Sequence, residues 1–186
     1  MDTMSLITLV LAVIVLSAAG WFAWHTHNRK MLKDRFGPEY DRAVRQYGNE
    51  TKAVSALGKR QQRLSKFTIR PLSDREAQEF ESKWRDTQAH FVDDPRGAVR
   101  DADALVSRLM DTRGYPMADF DRRAEDISVD HPRVVQNYRA AHNIAVEDAR
   151  GTSSTEDLRR AFMCYRALFA ELLETKPARS GQEVHA

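Results

Sequence analysis

The residues with the most obvious chemical potential lie in the stretch SVDHPRVVQNYRAAH, which covers Ser128–His142. Asp130 precedes His131, and His142 follows eleven residues later, so the set could serve acid–base catalysis or bind a metal. Pro132 instead predicts that a helix begins here with Asp130 as its N-cap, because proline is tolerated in a first turn. The two histidines would then lie about 16 Å apart along the helix, too far to share one metal ion. We therefore interpret Asp130 and His131 as a helix start.

Two other groups of residues could take part in chemistry. His90 lies near Asp93 and Asp94, but Asp94 is well placed as the N-cap of a helix that Pro95 begins. Cys164 lies in a periodic apolar helix, which is typical of a structural thiol and not of a nucleophile. The sequence contains no phosphate-binding glycine loop and no HExxH or GxSxG motif. We predict no catalytic residue, no metal ligand and no cofactor. The candidates for a functional histidine are His90, His131 and His142.

The elements that would position these residues are helices. Apolar residues beyond residue 28 recur at helical spacing, and no stretch alternates as a strand would. Gly37-Pro38, Gly48-Asn49 and the segment 68–73 interrupt the pattern, and Ser73 with Glu76 predicts a capping box. The predicted fold is all-α: an N-terminal transmembrane helix followed by a basic helical hairpin and a small antiparallel helical bundle. The predicted domains are a transmembrane anchor (1–28), a basic juxtamembrane hairpin (29–70), a helical bundle (71–174) and a disordered tail (175–186).

The anchor is predicted from the segment Ser5–Trp24, which contains no charged residue over 20 positions. A helix of that length spans about 30 Å, the thickness of the hydrocarbon core of a bilayer. A cleaved signal peptide is the alternative, because Ser17-Ala18-Ala19 resembles a cleavage site, but no Lys or Arg precedes the apolar run. Indole rings favour the headgroup boundary. The predicted anchor residues are Leu6, Trp21 and Trp24.

The charge of the chain is unevenly distributed. Residues 29–70 contain 12 Lys or Arg against 4 Asp or Glu, and residues 71–186 contain 17 against 22. Because positive residues flank only the C-terminal side of the anchor, the N-terminus is predicted outside an inner membrane and the body in the cytoplasm. A body outside the cytoplasm is the alternative. The basic excess predicts contact with anionic lipid headgroups, although a solvated basic face is equally compatible. The predicted lipid-facing residues are Arg29, Lys30, Lys33, Arg60, Arg63 and Lys66.

Several segments together resemble a bacterial family of short single-span proteins that are described as hypothetical, secreted or membrane proteins. The segments are LKDRFGPEYDRAV, IRPLS, FVDDPRGAVRDADALV, RGYP, ISVDHPRVVQNYRAAH and STEDLRRAFMCYRALFAELL. The resemblance implies a location in the bacterial envelope, and it assigns no activity and no catalytic residue.

From these observations we expect a membrane-tethered helical interaction or adaptor protein that contacts the lipid bilayer and binds a protein partner. One alternative is a membrane-anchored enzyme, in which the bundle brings histidine and carboxylate residues together. Another is an exported envelope protein. Nucleic acid is disfavoured as a partner, because the basic segment has few aromatic residues and a tether would hold it at the membrane.

Overall fold

A computed structural model of the chain describes residues 3–174, without the side chains of residues 3–11, 18, 23, 25 and 28. Within residues 3–174 every regular element is a helix, which confirms the predicted all-α class. The predicted tail, 175–186, lies outside the described residues, as does the side chain of Leu6. The helices are α1 (Thr3–Phe36), α2 (Pro38–Tyr47), α3 (Glu50–Leu64), α4 (Asp74–Asp93), α5 (Pro95–Thr112), α6 (Phe120–Asp130), α7 (Val135–Ala149) and α8 (Thr155–Glu174).

Helix α1 contains the segment that was predicted to cross a membrane. It continues without a break to Phe36, so no helix end separates the predicted anchor from the predicted hairpin. The structure does not support the predicted transmembrane span: among the described residues, no helix combines the length and apolarity needed to cross a membrane.

Local signals place the helix ends where the sequence predicts them. Pro38 is the first residue of α2, and Gly48 ends that helix with a φ of 65°, a value that favours glycine. Ser73 and Glu76 form the predicted capping box at the start of α4. Asp94 accepts a hydrogen bond of 2.9 Å from the backbone N–H of Gly97 and so caps α5. All of these signals act within four residues.

The predicted role of Asp130 is wrong. Asp130 is the last residue of α6, and α7 begins only at Val135. The N–H of His131 continues the α6 ladder by donating to the carbonyl of Ile127 at 2.8 Å. Pro132 follows, and its missing N–H ends the ladder. Proline is favoured both just after a helix and in a first turn, so the local pattern did not distinguish the two positions.

The chain forms two compact units, Met1–Leu57 and Gly58–Ala186. The division falls inside α3, whereas the sequence predicted a boundary at Arg70. In the first unit the hydroxyl of Tyr40 donates a 2.7 Å hydrogen bond to Glu50. In the second unit α5 packs against both α4 and α8, and α8 also packs against α7. Its core is built from fully buried side chains of α5, α7 and α8, among them Leu105, Val106, Leu109, Ala141 and Leu168.

Candidate interaction site

Two of the three candidate histidines lie in unrelated surroundings. His90 is exposed on α4, and its Nδ1 atom lies 3.0 Å from Oδ2 of Asp101. The ring of His142 on α7 stacks on Phe120 with the centroids 3.5 Å apart. Within the described part of the chain, no group of three His, Cys, Asp or Glu residues could hold a metal ion.

The third candidate, His131, is buried at the end of α6 with 3 % of its surface exposed. Its Nδ1 atom lies 3.1 Å from Oε1 of Glu171 on α8. Burial lowers the pKa of His131, and the hydrogen bond to Glu171 only partly opposes that effect. A neutral histidine beside a carboxylate has the geometry of a general base. The contact with Glu171 ties the end of α6 to α8.

The six predicted lipid-facing residues differ in burial and in their ionic partners. Arg60 is 3 % exposed, and its Nη2 atom lies 3.2 Å from Oε1 of Glu125. Nη2 of Arg63 lies 2.6 Å from Oδ1 of Asp126, which is itself buried. Arg60 and Arg63 therefore bind carboxylates of α6 within the second unit. The burial of Arg60 contradicts its predicted contact with lipid, whereas lipid contact of the partly exposed Arg63 stays a prediction.

The other four basic residues differ among themselves. Arg29 is partly buried and pairs with Glu50 at 3.1 Å. Lys30, Lys33 and Lys66 are exposed. Contact of these lysines with lipid stays a prediction.

Helix α1 exposes large apolar side chains, which we call the apolar belt. Four consecutive residues, 13–16, belong to it, and because successive helical positions are rotated by about 100° they cover every side of the helix. The fraction exposed in the apolar belt is 56 % for Val13, 57 % for Ile14, 64 % for Val15, 71 % for Leu16, 64 % for Trp21, 65 % for Phe22 and 64 % for Trp24. A contiguous apolar surface of this kind marks a site that meets a membrane or a partner.

A second candidate surface is a groove between α4 and α8 in the second unit. Both helices pack on α5, and they meet each other through aromatic rings. Trp84 stacks on Phe162 and Phe169, with centroids 5.1 and 4.7 Å apart. Above these rings lie two depressions of 360 and 270 Å³. The first is lined by Trp84, Phe169, Ala170 and Leu173, and the second by Phe91, Phe162 and Met163.

The α4–α8 groove carries charge in a defined order. Arg166 lines both depressions, and Arg85 faces it in the larger one. Both arginines are exposed, and neither forms an ion pair with any residue that the structure describes. Glu81 and Glu174 also line the larger depression, and Arg159, which pairs with Glu156, lines the smaller one. The groove therefore offers an apolar floor, two cations without an ion pair among the described residues, and two carboxylates in the larger depression.

The sequence analysis missed this groove, although one signal was present. Trp84 of α4 and Phe162 of α8 are both buried. Arg166 lies four positions after Phe162, so this cation lies on the same helix face as an aromatic residue. Sequence spacing alone does not say that the two helices lie side by side.

Comparison with protein-family models, curated proteins and solved structures gives no match for this chain.

Proposed function

We propose that this protein is a membrane-tethered interaction protein, in which α1 is the tether and the α4–α8 groove binds a helix of a partner protein. The observation that carries the proposal is the groove, an aromatic floor bordered by two arginines that have no ion pair among the described residues. Helix-in-groove recognition uses the same combination of an apolar surface and flanking charges.

The tether is supported by the apolar belt and by the uncharged segment Ser5–Trp24. A helix that is apolar on all sides is stable only when something apolar surrounds it. A bilayer provides such surroundings, and the exposed Lys30 and Lys33 at the polar end of α1 would meet anionic headgroups there.

The partner is characterised by the shape and charge of the groove. From Glu81 to Phe91 the groove follows about 15 Å of α4, which corresponds to about three helical turns. An amphipathic helix with an apolar stripe fits the aromatic floor, and carboxylates near its centre would pair with Arg85 and Arg166. A charge-assisted pair with arginine is stronger than a neutral hydrogen bond. The proposed partner is therefore an acidic amphipathic helix.

The tether predicts how the chain divides between membrane and soluble fractions. Wild-type protein should stay in the membrane pellet after an alkaline carbonate wash. Val13→Arg with Leu16→Arg should release it, because an arginine at the centre of a membrane-inserted helix costs about 2.5–3.5 kcal/mol. Val92→Arg, at an 83 % exposed valine of α4, is the control and should stay in the pellet. Release of the wild-type chain would contradict the tether.

The groove predicts that the protein prefers an acidic helical peptide and that replacing its two arginines by glutamate reverses this preference. Peptide binding is measured by fluorescence anisotropy with the full chain in detergent micelles. The probes are two amphipathic helical peptides with the same leucine stripe, one flanked by Glu and the other by Lys. The wild-type chain should bind the Glu peptide at least about tenfold more tightly, or about 1.4 kcal/mol. Arg85→Glu with Arg166→Glu should reverse that preference.

A matched control separates the groove from the total charge of the protein. Arg108 and Arg133 are exposed and do not line the groove, and reversing both changes the net charge by the same amount. Arg108→Glu with Arg133→Glu should leave the preference for the Glu peptide intact. Equal losses in the two double variants, or equal binding of both peptides by the wild-type chain, would refute the proposed groove.

A further inference from the structure

Five polar residues from four helices converge inside the second unit, and we call them the polar cluster. Asp103 and Ser107 lie one turn apart on α5, Arg123 lies on α6, Tyr138 on α7 and Tyr165 on α8. Arg123 donates through Nη1 to Oγ of Ser107 at 2.6 Å. The rings of Tyr138 and Tyr165 meet edge to face, with centroids 6.3 Å apart.

Four atoms of the polar cluster are buried and have no hydrogen-bond partner among the described residues. They are Oδ1 of Asp103, Nε of Arg123 and the hydroxyl oxygens of Tyr138 and Tyr165. Both tyrosines are 0 % exposed. A buried polar atom without a partner costs about 1–3 kcal/mol, so four such atoms in one place indicate a guest that satisfies them together.

The chemistry of the cluster restricts the identity of that guest. The charges of Asp103 and Arg123 cancel, so the guest is neutral. Burial raises the pKa of Tyr138 to about 12. Burial and the neighbouring Asp103 carboxylate raise the pKa of Tyr165 as well. Both hydroxyls are therefore protonated at neutral pH and available as donors, as is Nε of Arg123, whereas Oδ1 of Asp103 only accepts.

The guest must also be small. The ring of Phe120 covers Tyr138 at a centroid distance of 4.8 Å, and His142 stacks on Phe120 in turn. A neutral molecule that both donates and accepts and fits among packed rings is water. Buried water makes about three hydrogen bonds in proteins, so one or two molecules would satisfy four atoms.

We propose that the polar cluster is an internal hydration site, in which bound water accepts from the tyrosine hydroxyls and Arg123 and donates to Asp103. The water links α5, α6, α7 and α8 and adds to the direct contacts of Arg123 with Ser107 and of Tyr138 with Tyr165. Such a bridge fixes the helices in one register, because a shifted helix would leave the polar atoms buried and unsatisfied.

The hydration site is tested by whether removing a tyrosine hydroxyl lowers or raises the urea midpoint of unfolding. Tyr138→Phe and Tyr165→Phe each remove one hydroxyl and keep the ring. If water bridges the hydroxyls, each variant loses a hydrogen bond and leaves the water under-coordinated, so the urea midpoint should fall. If the hydroxyls have no partner, each variant removes an unsatisfied group, and the midpoint should rise. Unfolding is followed by Trp84 fluorescence in the full chain carrying Trp21→Phe and Trp24→Phe.

Tyr115→Phe calibrates the measurement, because the Tyr115 hydroxyl donates to Asp130 at 3.2 Å in the same unit. We expect Tyr138→Phe and Tyr165→Phe to lower the midpoint by a shift similar to that of Tyr115→Phe. We also expect nuclear Overhauser contacts between a long-lived water and the ring protons of Tyr138 and Tyr165 in the full chain. An unchanged or raised midpoint in both variants, or no water contact at either ring, would overturn the hydration site.

Discussion

Replacing Arg63 by methionine should lower the free energy of unfolding of the second unit by about 3–5 kcal/mol. The Asp126 carboxylate is 1 % exposed, and Arg63 donates to it through Nε at 2.8 Å and through Nη2 at 2.6 Å. Without Arg63 the buried Asp126 carboxylate would lose the guanidinium group that pairs with it directly. Urea unfolding, followed by Trp84 fluorescence as above, measures the loss.

Two further variants identify the cause of that loss. Arg63→Met with Asp126→Leu should recover most of the stability, because removing both charges leaves no unpaired ion. Arg159→Met, which breaks an exposed pair with Glu156 at 2.6 Å, should lower stability far less, because solvent screens that pair. A double variant no more stable than Arg63→Met would show that the lost contacts, and not the buried charge, explain the effect.

The same pair predicts a dependence on pH. Burial raises the pKa of Asp126 above its ordinary value, and Arg63 opposes that shift. A raised pKa in the folded state destabilises folding at high pH, and the penalty disappears as the carboxyl is protonated below its folded pKa. Removing Arg63 raises this pKa further, so the deficit of Arg63→Met should shrink as the pH falls through the folded pKa of the variant toward that of the wild-type protein. A deficit independent of pH would contradict this account.

The second large effect is expected at Arg113. Replacing Arg113 by methionine should lower the free energy of unfolding by about 2–4 kcal/mol. Arg113 is 1 % exposed. Its Nη1 atom donates to the carbonyl of Leu172 at 2.7 Å, and its Nε atom donates to the carbonyl of Arg70 at 3.3 Å. The first bond caps the end of α8 with a cation, where the helix dipole favours positive charge. The second holds the connector between α3 and α4.

Arg113→Lys should not restore stability, because an ammonium lacks the planar fork that reaches two carbonyls at once. Arg108→Met, at an exposed arginine of α5, should change stability by no more than about 0.5 kcal/mol. Hydrogen exchange should accelerate in the last turn of α8 in Arg113→Met and not in Arg108→Met. Full rescue by lysine would show that charge alone, and not the fork, is what Arg113 contributes.

The helix boundaries were accessible from the sequence, because the groups that decide them lie within one turn. Pro38, Gly48 and the Ser73–Glu76 capping box each act on their own backbone or on an amide a few residues away. Asp130 shows the limit of this reasoning. A single proline is compatible with a helix that ends before it and with one that begins at it. In the structure α6 ends there, Val129 of α6 is buried, and Tyr115 donates to Asp130 at 3.2 Å.

Some features of the candidate surfaces are visible in the sequence, and others require the tertiary structure. The uncharged segment of α1 and the aromatic stripes of α4 and α8 are visible in the sequence, since both are local patterns of apolar residues. The α4–α8 groove and the polar cluster are not, because each combines residues from helices far apart in the chain. Arg85 and Arg166 are separated by 81 positions, and no periodicity relates them.

The sequence by itself determined the helical class, the order of the helices and most of their ends, because hydrophobic periodicity and capping act over short distances. Only the tertiary structure decided which charges are buried. Arg60 and Arg63 read as part of a basic surface, yet they bind carboxylates more than 60 residues away. Arg113 looks like any arginine at a helix end, yet it is almost fully buried. A charged side chain can be buried where packing brings a partner to it, and the residues beside it in the sequence do not identify that partner.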